Sequence, residues 1–385
     1  MITCVMLLRY GVNPHQAVAS YEAVGGRLPF EVVSGQPGYI NLLDALNAWQ
    51  LVREASLATG MVTAASFKHV SPAGVATSGE VPDFIRRTYR LPDADLTAPA
   101  SAYLRARSSD PRSSYGDFIA LSDPVDEATA RVIKLVVSDG IIAPDYSPAA
   151  LEVLQSKRRG SYLIIRSDPA YTPPRQESRE VFGVRLTQTS DTEILDPEAE
   201  LRDVIEGKLR DQWRLDLILG LVTVKYTQSN SVAFARSGQV IGIGAGQQSR
   251  IDCTRLAGAK TDNWWLVQHP RLARELADDH DSTAQDRIND LYSLASGTGE
   301  VTTAAAAGVR PLTPAERVDW LRDLRDVCFA SDGYIPFPDN IVEVSRHGAV
   351  AVAAPGGSIR DAEVREACRT HDICLVYTPH RYFHH

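Results

Sequence analysis

Cysteine is scarce in this 385-residue chain and poorly spaced for chemistry. Its five thiols, Cys4, Cys253, Cys328, Cys368 and Cys374, form an odd set with no CxxC pair. That pattern argues against a disulfide framework and against a zinc site, and leaves the thiols as reduced packing residues. Long apolar runs are absent too: no window reaches the ~18 residues of a membrane span, and the short run from Cys4 to Leu8 lacks the charged flank and length of a signal peptide. A cytoplasmic protein without a membrane partner is expected. Positive charge is in deficit, 40 Lys and Arg against 48 Asp and Glu, for a formal net charge of −8. Such a surface repels nucleic-acid backbones, so no nucleic-acid partner is expected and any bound phosphate must be gripped by a local cluster of Arg and Lys. Low-complexity tracts and short repeats are missing as well.

What is present is a large apolar fraction, 44%, over a length that suggests two folded units. Helix and strand signals alternate. Asn41 reads as the cap of a helix carrying Leu42, Leu46, Trp49 and Val52, closed by Gly60. A buried strand fits Met61 to Phe67. Val132 to Val137 reads as β-rich with a turn at Asp139 and Gly140, followed by a helix capped by Ser147 with Pro148 at its first position, and a strand at Tyr162 to Ile165. From Pro173 to Glu200 the chain is polar with weak periodicity, which reads as a loop or boundary. The division is placed near residue 185, giving units 1–185 and 186–385. The second unit starts with a helix at Trp213 to Val224 and strands Val232 to Arg236 and Val240 to Ile243 around Ser237 and Gly238. A polar helical insertion, about 262–325, closes on the Thr313, Pro314, Glu316 capping box. The end reads as βαβ: Val350 to Ala353, Asp361 to Thr370, Ile373 to Tyr377.

Several segments could carry chemistry. SFKHVSPAG sets Lys68 and His69 at the carboxyl end of a strand, where α/β folds keep their sites. A Lys supplies positive charge for an oxyanion and a neutral His supplies a base that titrates near working pH; on the dipeptide alone, a solvated turn is the commoner meaning. The glycine-rich VIGIGAGQQSR follows a strand and opens a helix, so its amides and Arg250 could face an anion, yet it fits neither GxGxxG nor GxxxxGK[ST]. PGGS at Pro355 to Ser358 has the same logic. The HxE and PCxxC pair of zinc nucleobase deaminases is missing, so no zinc is expected.

Taken in order, LRYGVNPHQ, PGYINLLDALNAWQLV, SFKHVSPAGVA, SSYGDFIALSD, VSDGIIAP, VKYTQSNSV, IGIGAGQQSRIDCTRLAG, SDGYIPFPDN and RYFHH resemble the AICAR transformylase family, from Leu8 to His385. The resemblance implies an α/β fold of two cytidine-deaminase-like αβα units with a helical insertion and no zinc, in a homodimer whose active sites are shared between subunits. It implies transfer of the formyl group of 10-formyltetrahydrofolate, the co-substrate, to the 5-amino group of AICAR. His69 is then the general base, Lys68 the oxyanion stabiliser and Asn230 a catalytic partner. Nucleotide contacts fall on Arg9, Tyr10, His69, Gly116, Asp139, Asn230, Tyr334 and Arg381, and folate contacts on Arg250, Asp339, Ser358 and Ile359. K⁺ is an open question for the fold.

The chain departs from the family where Tyr334 and Ile335 replace two aromatics and Pro338 replaces an Arg. The family also usually places a cyclohydrolase domain ahead of the first motif, so a separate IMP cyclohydrolase is implied. A different class of reading, a catalytically idle purine-nucleotide-binding protein of the same fold, would have no use for a base beside an oxyanion donor.

Overall fold

The computed structural model describes residues 5–16, 18–91, 96–275, 281–304 and 306–385. The chain opens with a small ladder of β1 (Met6–Leu7) and β2 (Ser20–Tyr21). There follow β3 (Phe30–Ser34), α1 (Tyr39–Thr59), β4 (Thr63–Lys68), β5 (Ser71–Thr77), α2 (Asp83–Tyr89), α3 (Ala98–Ser109), β6 (Asp117–Leu121), α4 (Glu127–Lys134), β7 (Ser138–Ala143), α5 (Pro148–Gln155) and β8 (Leu163–Ser167). A hairpin of β9 (Gln176–Val181) and β10 (Val184–Thr189) and the short α6 (Pro197–Glu200) lead on to β11 (Asp203–Glu206), α7 (Asp211–Lys225), β12 (Val232–Arg236) and β13 (Gln239–Gly244). Then come α8 (Arg250–Leu266), α9 (Pro270–Glu275), α10 (Ala284–Ser296), α11 (Pro314–Leu321), β14 (Val327–Ser331), α12 (Asp339–Arg346), β15 (Ala349–Pro355), α13 (Asp361–Thr370) and β16 (Cys374–Thr378).

The fold is mixed α/β around one 12-stranded sheet, ordered β11-β16-β15-β14-β12-β13-β5-β4-β6-β7-β8-β3. Read outward from its middle, the sheet repeats itself. Each half starts with a hairpin, β4 and β5 or β12 and β13. A strand antiparallel to the hairpin follows, then two parallel ones, then an antiparallel outer strand. The halves meet where β13 pairs antiparallel with β5, Gln239 opposite Ala76 and Val240 opposite Val75. Buried Arg105 of α3 fastens the junction, donating to Thr77 O at 2.6 Å and to Ser237 O.

Successive strand residues face opposite sides of a sheet, and both sides are covered here. Helices α1 and α7 pack against each other and share one apolar cluster with Ala65, Phe67, Val75, Ala233, Ala235 and Val240. On the other side Ala64, Ala76, Ile119 and Leu121 join the residues of α3, while Val232, Phe234 and Ile241 join those of α8. The insertion is tied to α8 by a stacked pair, Trp265 and Trp320, with ring centroids 5.2 Å apart. Each indole N–H donates to the other residue's carbonyl, at 2.8 and 2.9 Å.

Three local expectations are corrected. The β-rich stretch Val132 to Val137 is not a strand, and its first three residues are the end of α4: Asp126 caps that helix, accepting the Thr129 N–H at 2.7 Å, and buried Ala130 and Ile133 follow at helical spacing. Asp139 and Gly140 therefore lie inside β7 and form no turn; a Cβ on Gly140 would sit 2.6 Å from the Phe118 ring. Asn41 does not cap α1. The helix starts two residues earlier behind Gly38, and Asn41 reaches back from the first turn to accept the Gly38 N–H at 3.0 Å. The polar stretch Pro173 to Glu200 contains a fully exposed hairpin, turned at left-handed Phe182 and Gly183.

Candidate functional site

The strand directions bring the sequence-predicted residues to one rim of the sheet. β4 ends there at Lys68, and β6 and β7 begin there beside Gly116 and Asp139. From the second half, the start of β12 and the carboxyl ends of β13, β14, β15 and β16 open on the same rim, because β13 runs antiparallel to β5. That places Asn230, Arg250, Tyr334, Asp339, Ser358, Ile359 and Arg381 along it. At ~4.8 Å between strands, the rim from β7 to β16 spans on the order of 40 Å, and hydrogen bonds sort its residues into two groups, one around the β4–β5 turn and one around the start of β12.

The first group surrounds the β4–β5 turn. The Lys68 ammonium donates to the carbonyl of Tyr115 and to that of Gly116 at 3.2 Å; a lysine carries three N–H donors, so one is left for a ligand. Gly116 is left-handed at φ 73°, and a Cβ there would lie 3.0 Å from Lys68 Nζ and 3.9 Å from Asp139 Oδ1. Asp139 is itself held by Arg158 at 2.7 Å. Exposed His69 follows Lys68 in the turn. Arg9 and Tyr10 are brought to the same place by α1: Arg9 N–H donates to Pro37 O at 2.9 Å, and the Tyr10 hydroxyl donates to Asn41 Oδ1 at 2.9 Å. Gly38 is required here, since a Cβ would stand 2.2 Å from the Tyr10 ring.

Sequence reasoning missed Asp44 of α1, which is buried and accepts the Val70 N–H at 2.6 Å. Burial pushes its carboxyl up to about 6, with Asp139 adding to the rise and the Val70 N–H, His69 and Lys68 opposing it. The signal was available: Asp44 stands four and seven residues before Ala48 and Leu51, on the helix's buried stripe.

The second group is more tightly bound to itself. Arg250 is buried and donates to Asp332, to Ser231 O at 3.1 Å and to Asn230 Oδ1 at 2.9 Å. The Asn230 amide donates to Gln247 O at 2.8 Å and Gln248 O at 3.2 Å. Both side chains are thus engaged within the protein, and a ligand contact at either would exchange one of these bonds. Asp332, which the sequence reading passed over, is fully buried and also accepts from Ser229 Oγ at 2.6 Å and the Ser231 N–H at 2.9 Å. The free surface of this group is made by exposed Tyr334, Asp339, Ile359 and Arg381. The Arg381 guanidinium lies 4.5 Å over the Phe383 ring, and the loop of Ser358 is pinned by Asp361, which accepts the Gly357 and Ser358 N–H groups at 2.8 and 3.1 Å. Ile335 is buried in the apolar cluster of α8.

Among the described residues, no three His, Cys, Asp or Glu side chains gather as metal ligands, and no helix is long and apolar enough to cross a membrane.

Comparison with known proteins agrees with this arrangement of motifs. Residues 2–260 match the AICARFT/IMPCHase bienzyme family. The bifunctional purine biosynthesis protein PurH of Magnetococcus marinus is 31% identical over 98% of this chain and 59% of its own length. Those of Paracoccus denitrificans and Roseobacter denitrificans are each 30% identical, over 98% and 100% of this chain and 59% and 60% of their own. The chain therefore spans about three fifths of the length of these relatives, at 59% in the first of them. With the family match covering well over half of the chain and the relatives aligned along nearly all of it, this protein belongs to the AICARFT/IMPCHase bienzyme family.

Proposed function

We propose that the chain is the formyltransferase portion of such an enzyme: it moves the formyl group of 10-formyltetrahydrofolate to the 5-amino group of AICAR, giving formyl-AICAR and tetrahydrofolate in purine biosynthesis in the cytoplasm. The observation that carries this reading is the pairing of His69 with Lys68 at the end of a central strand, the lysine fixed by two carbonyls with one N–H to spare. AICAR's amine is conjugated to a ring and carboxamide and is a poor nucleophile. As its nitrogen attacks the formyl carbon, neutral His69 takes its proton and the formyl oxygen becomes an oxyanion, met by the remaining Lys68 N–H. Collapse re-forms the carbonyl, breaks the bond from carbon to N10 of the folate, and returns the proton from His69 to that nitrogen.

In this reading Arg9, Tyr10, Gly116 and Asp139 hold the nucleotide beside His69, and Tyr334 and Arg381 hold it from the other group. Arg250, Asp339, Ser358 and Ile359 face the folate, and Asn230 completes the catalytic set. The spread of these residues along the rim supports a homodimer in which each site draws one group from either subunit. The repeated strand order supports two cytidine-deaminase-like units, 1–185 and 186–385, with the helical insertion at about 262–325. Ring closure is assigned to a cyclohydrolase unit outside these residues, and a requirement for K⁺ is left to titration of activity with the salt.

The internal engagement of Asn230 and Arg250 favours one competing reading, an idle purine-nucleotide-binding protein. Mixing pure protein with AICAR and 10-formyltetrahydrofolate decides between them. Tetrahydrofolate released at a catalysed rate supports transfer; AICAR binding without release selects the idle protein.

A further inference from the structure

The β4–β5 turn and the β12–β13 turn are one device built twice. Each places two consecutive residues in the left-handed region: His69 and Val70 at φ 54° and 60°, Ser237 and Gly238 at 53° and 72°. Each is held by a buried aspartate six residues into the helix that precedes its hairpin. Asp216 of α7 accepts the Ser237 and Gly238 N–H groups at 2.8 and 2.6 Å. Asp44 of α1 accepts the Val70 N–H at 2.6 Å.

The two copies differ in what they ask of the backbone. Ser-Gly suits a two-residue hairpin turn, because glycine takes a positive φ without a steric penalty. His-Val does not. A β-branched residue at φ 60° is a true outlier, and such outliers persist only where the surroundings hold them, typically at functional sites. The strained copy is the one that carries Lys68 and His69.

We propose that Asp44 is a positioning residue for the Lys68–His69 site: by accepting the Val70 N–H it holds a turn that His and Val would not hold unaided, and so sets the direction in which the imidazole leaves the backbone. Its kinetic consequence rests on the formyl-transfer reading, whereas its effect on the imidazole does not. Asp44 faces the side chains of His69, Lys68 and Asp139, so the hydrogen bond must be separated from the charge. Asp44→Asn keeps an acceptor for Val70 N–H without the charge; Asp44→Ala removes both. Val70→Gly relieves the backbone, copying the residue at position 238.

Asp44→Ala should lower kcat by about 10²-fold with little change in the AICAR KM, the scale of loss expected from a small misplacement of a catalytic group. Asp44→Asn should stay within about threefold of wild type, and Asp44→Ala/Val70→Gly should recover about tenfold over Asp44→Ala. In the substrate-free protein, the NMR signal of the His69 ring Cε1 proton should move in Asp44→Ala and return toward its original position in the double variant. A carboxylate that merely packs α1 would show no rescue by a change at Val70. Wild-type kcat in folded Asp44→Ala, or a deficit that neither Asn nor the glycine relieves, overturns the proposal. If Asp44→Ala does not fold, Asp44→Asn decides: near wild-type turnover supports the hydrogen-bond role, and a folded but hundredfold slower enzyme overturns it. If the wild-type protein transfers no formyl group, that reading alone fails, and the ring signal in Asp44→Ala, Asp44→Asn and the double variant decides the role of Asp44.

Discussion

Arg107 Nη1 and Asp117 Oδ1 lie 2.7 Å apart with both side chains buried, forming an ionic floor beneath the loop that holds Lys68. The same Arg107 atom donates to Ser114 O at 2.6 Å, and Asp117 Oδ2 accepts from Ser66 Oγ at 2.8 Å. The loop that offers the Tyr115 and Gly116 carbonyls to Lys68 is thus fixed from below by an ion pair and from β4 by Ser66.

Breaking this floor on one side should be costly. Asp117→Asn leaves the Arg107 charge buried without its counter-ion, and loss of one partner of a buried pair costs about 3–5 kcal/mol. A urea titration should show the midpoint falling accordingly. An unchanged midpoint would mean that Arg107 is solvated when Asp117 is gone.

His69→Ala and Lys68→Ala should differ from any loss of nucleotide grip. Removing a general base lowers turnover by roughly 10² to 10⁴, and removing a donor to developing charge by roughly 10² to 10³, each with little change in AICAR affinity by calorimetry. Arg381→Ala should instead raise the AICAR KM before it alters kcat. Identical defects in all three variants would defeat this division of roles.

The two turn-holding aspartates carry a pH signature. Burial pushes both Asp44 and Asp216 from 3.8 up to about 6. For an acid raised in the folded state the stabilising contribution is fully present below the unfolded value and lost as pH climbs through the folded one. Asp44→Asn removes one of these titrations. The variant should therefore gain on wild type as pH goes from 4 to 7, by up to about 3 kcal/mol for a shift of this size. Chemical denaturation at both pH values reads the difference, and parallel curves for the two proteins would refute it.

Thiol chemistry should be silent in the native state at Cys253, Cys328, Cys368 and Cys374, which are buried and free. Burial pushes Cys253 and Cys368 up to about 12 and Cys374 to about 11, and Cys328 well above its usual value. Since the thiolate is the reactive form, maleimide at pH 7 followed by peptide mapping should label none of these four until denaturant is added. Native labelling at any of them would indicate local opening of the core. Cys4 lies outside the described residues.

Local chemistry was legible without the fold. The capping box forms as read, Thr313 Oγ1 accepting the Glu316 N–H at 3.3 Å and Glu316 accepting the Thr313 N–H at 2.8 Å. The helix Asp361–Thr370 has its expected bounds, and Lys68 and His69 stand at the end of a strand, as the apolar run before them leads one to expect. These features depend on residues a few positions apart, whose preferences are written in adjacent side chains. The sequence alone determined them.

Tertiary structure decided what distant residues do to one another. Whether Val132 to Val137 is helix or strand turned on the Asp126 cap and the sheet beside it, not on β-propensity. Arg250 read as an open donor until Asp332, 82 positions away, proved to be its partner, and Asn230 until its amide proved to donate to the Gln247 and Gln248 carbonyls. Asp44 and Val70 are 26 positions apart, and nothing in either segment announces the other. Their bond exists because α1 runs antiparallel to β4, so that the start of the helix is carried back to the end of the strand. The antiparallel pairing of β13 with β5 in turn sets both groups of site residues on one rim. Packing and register, which add up contributions from the whole chain, fix such pairs; no local preference can.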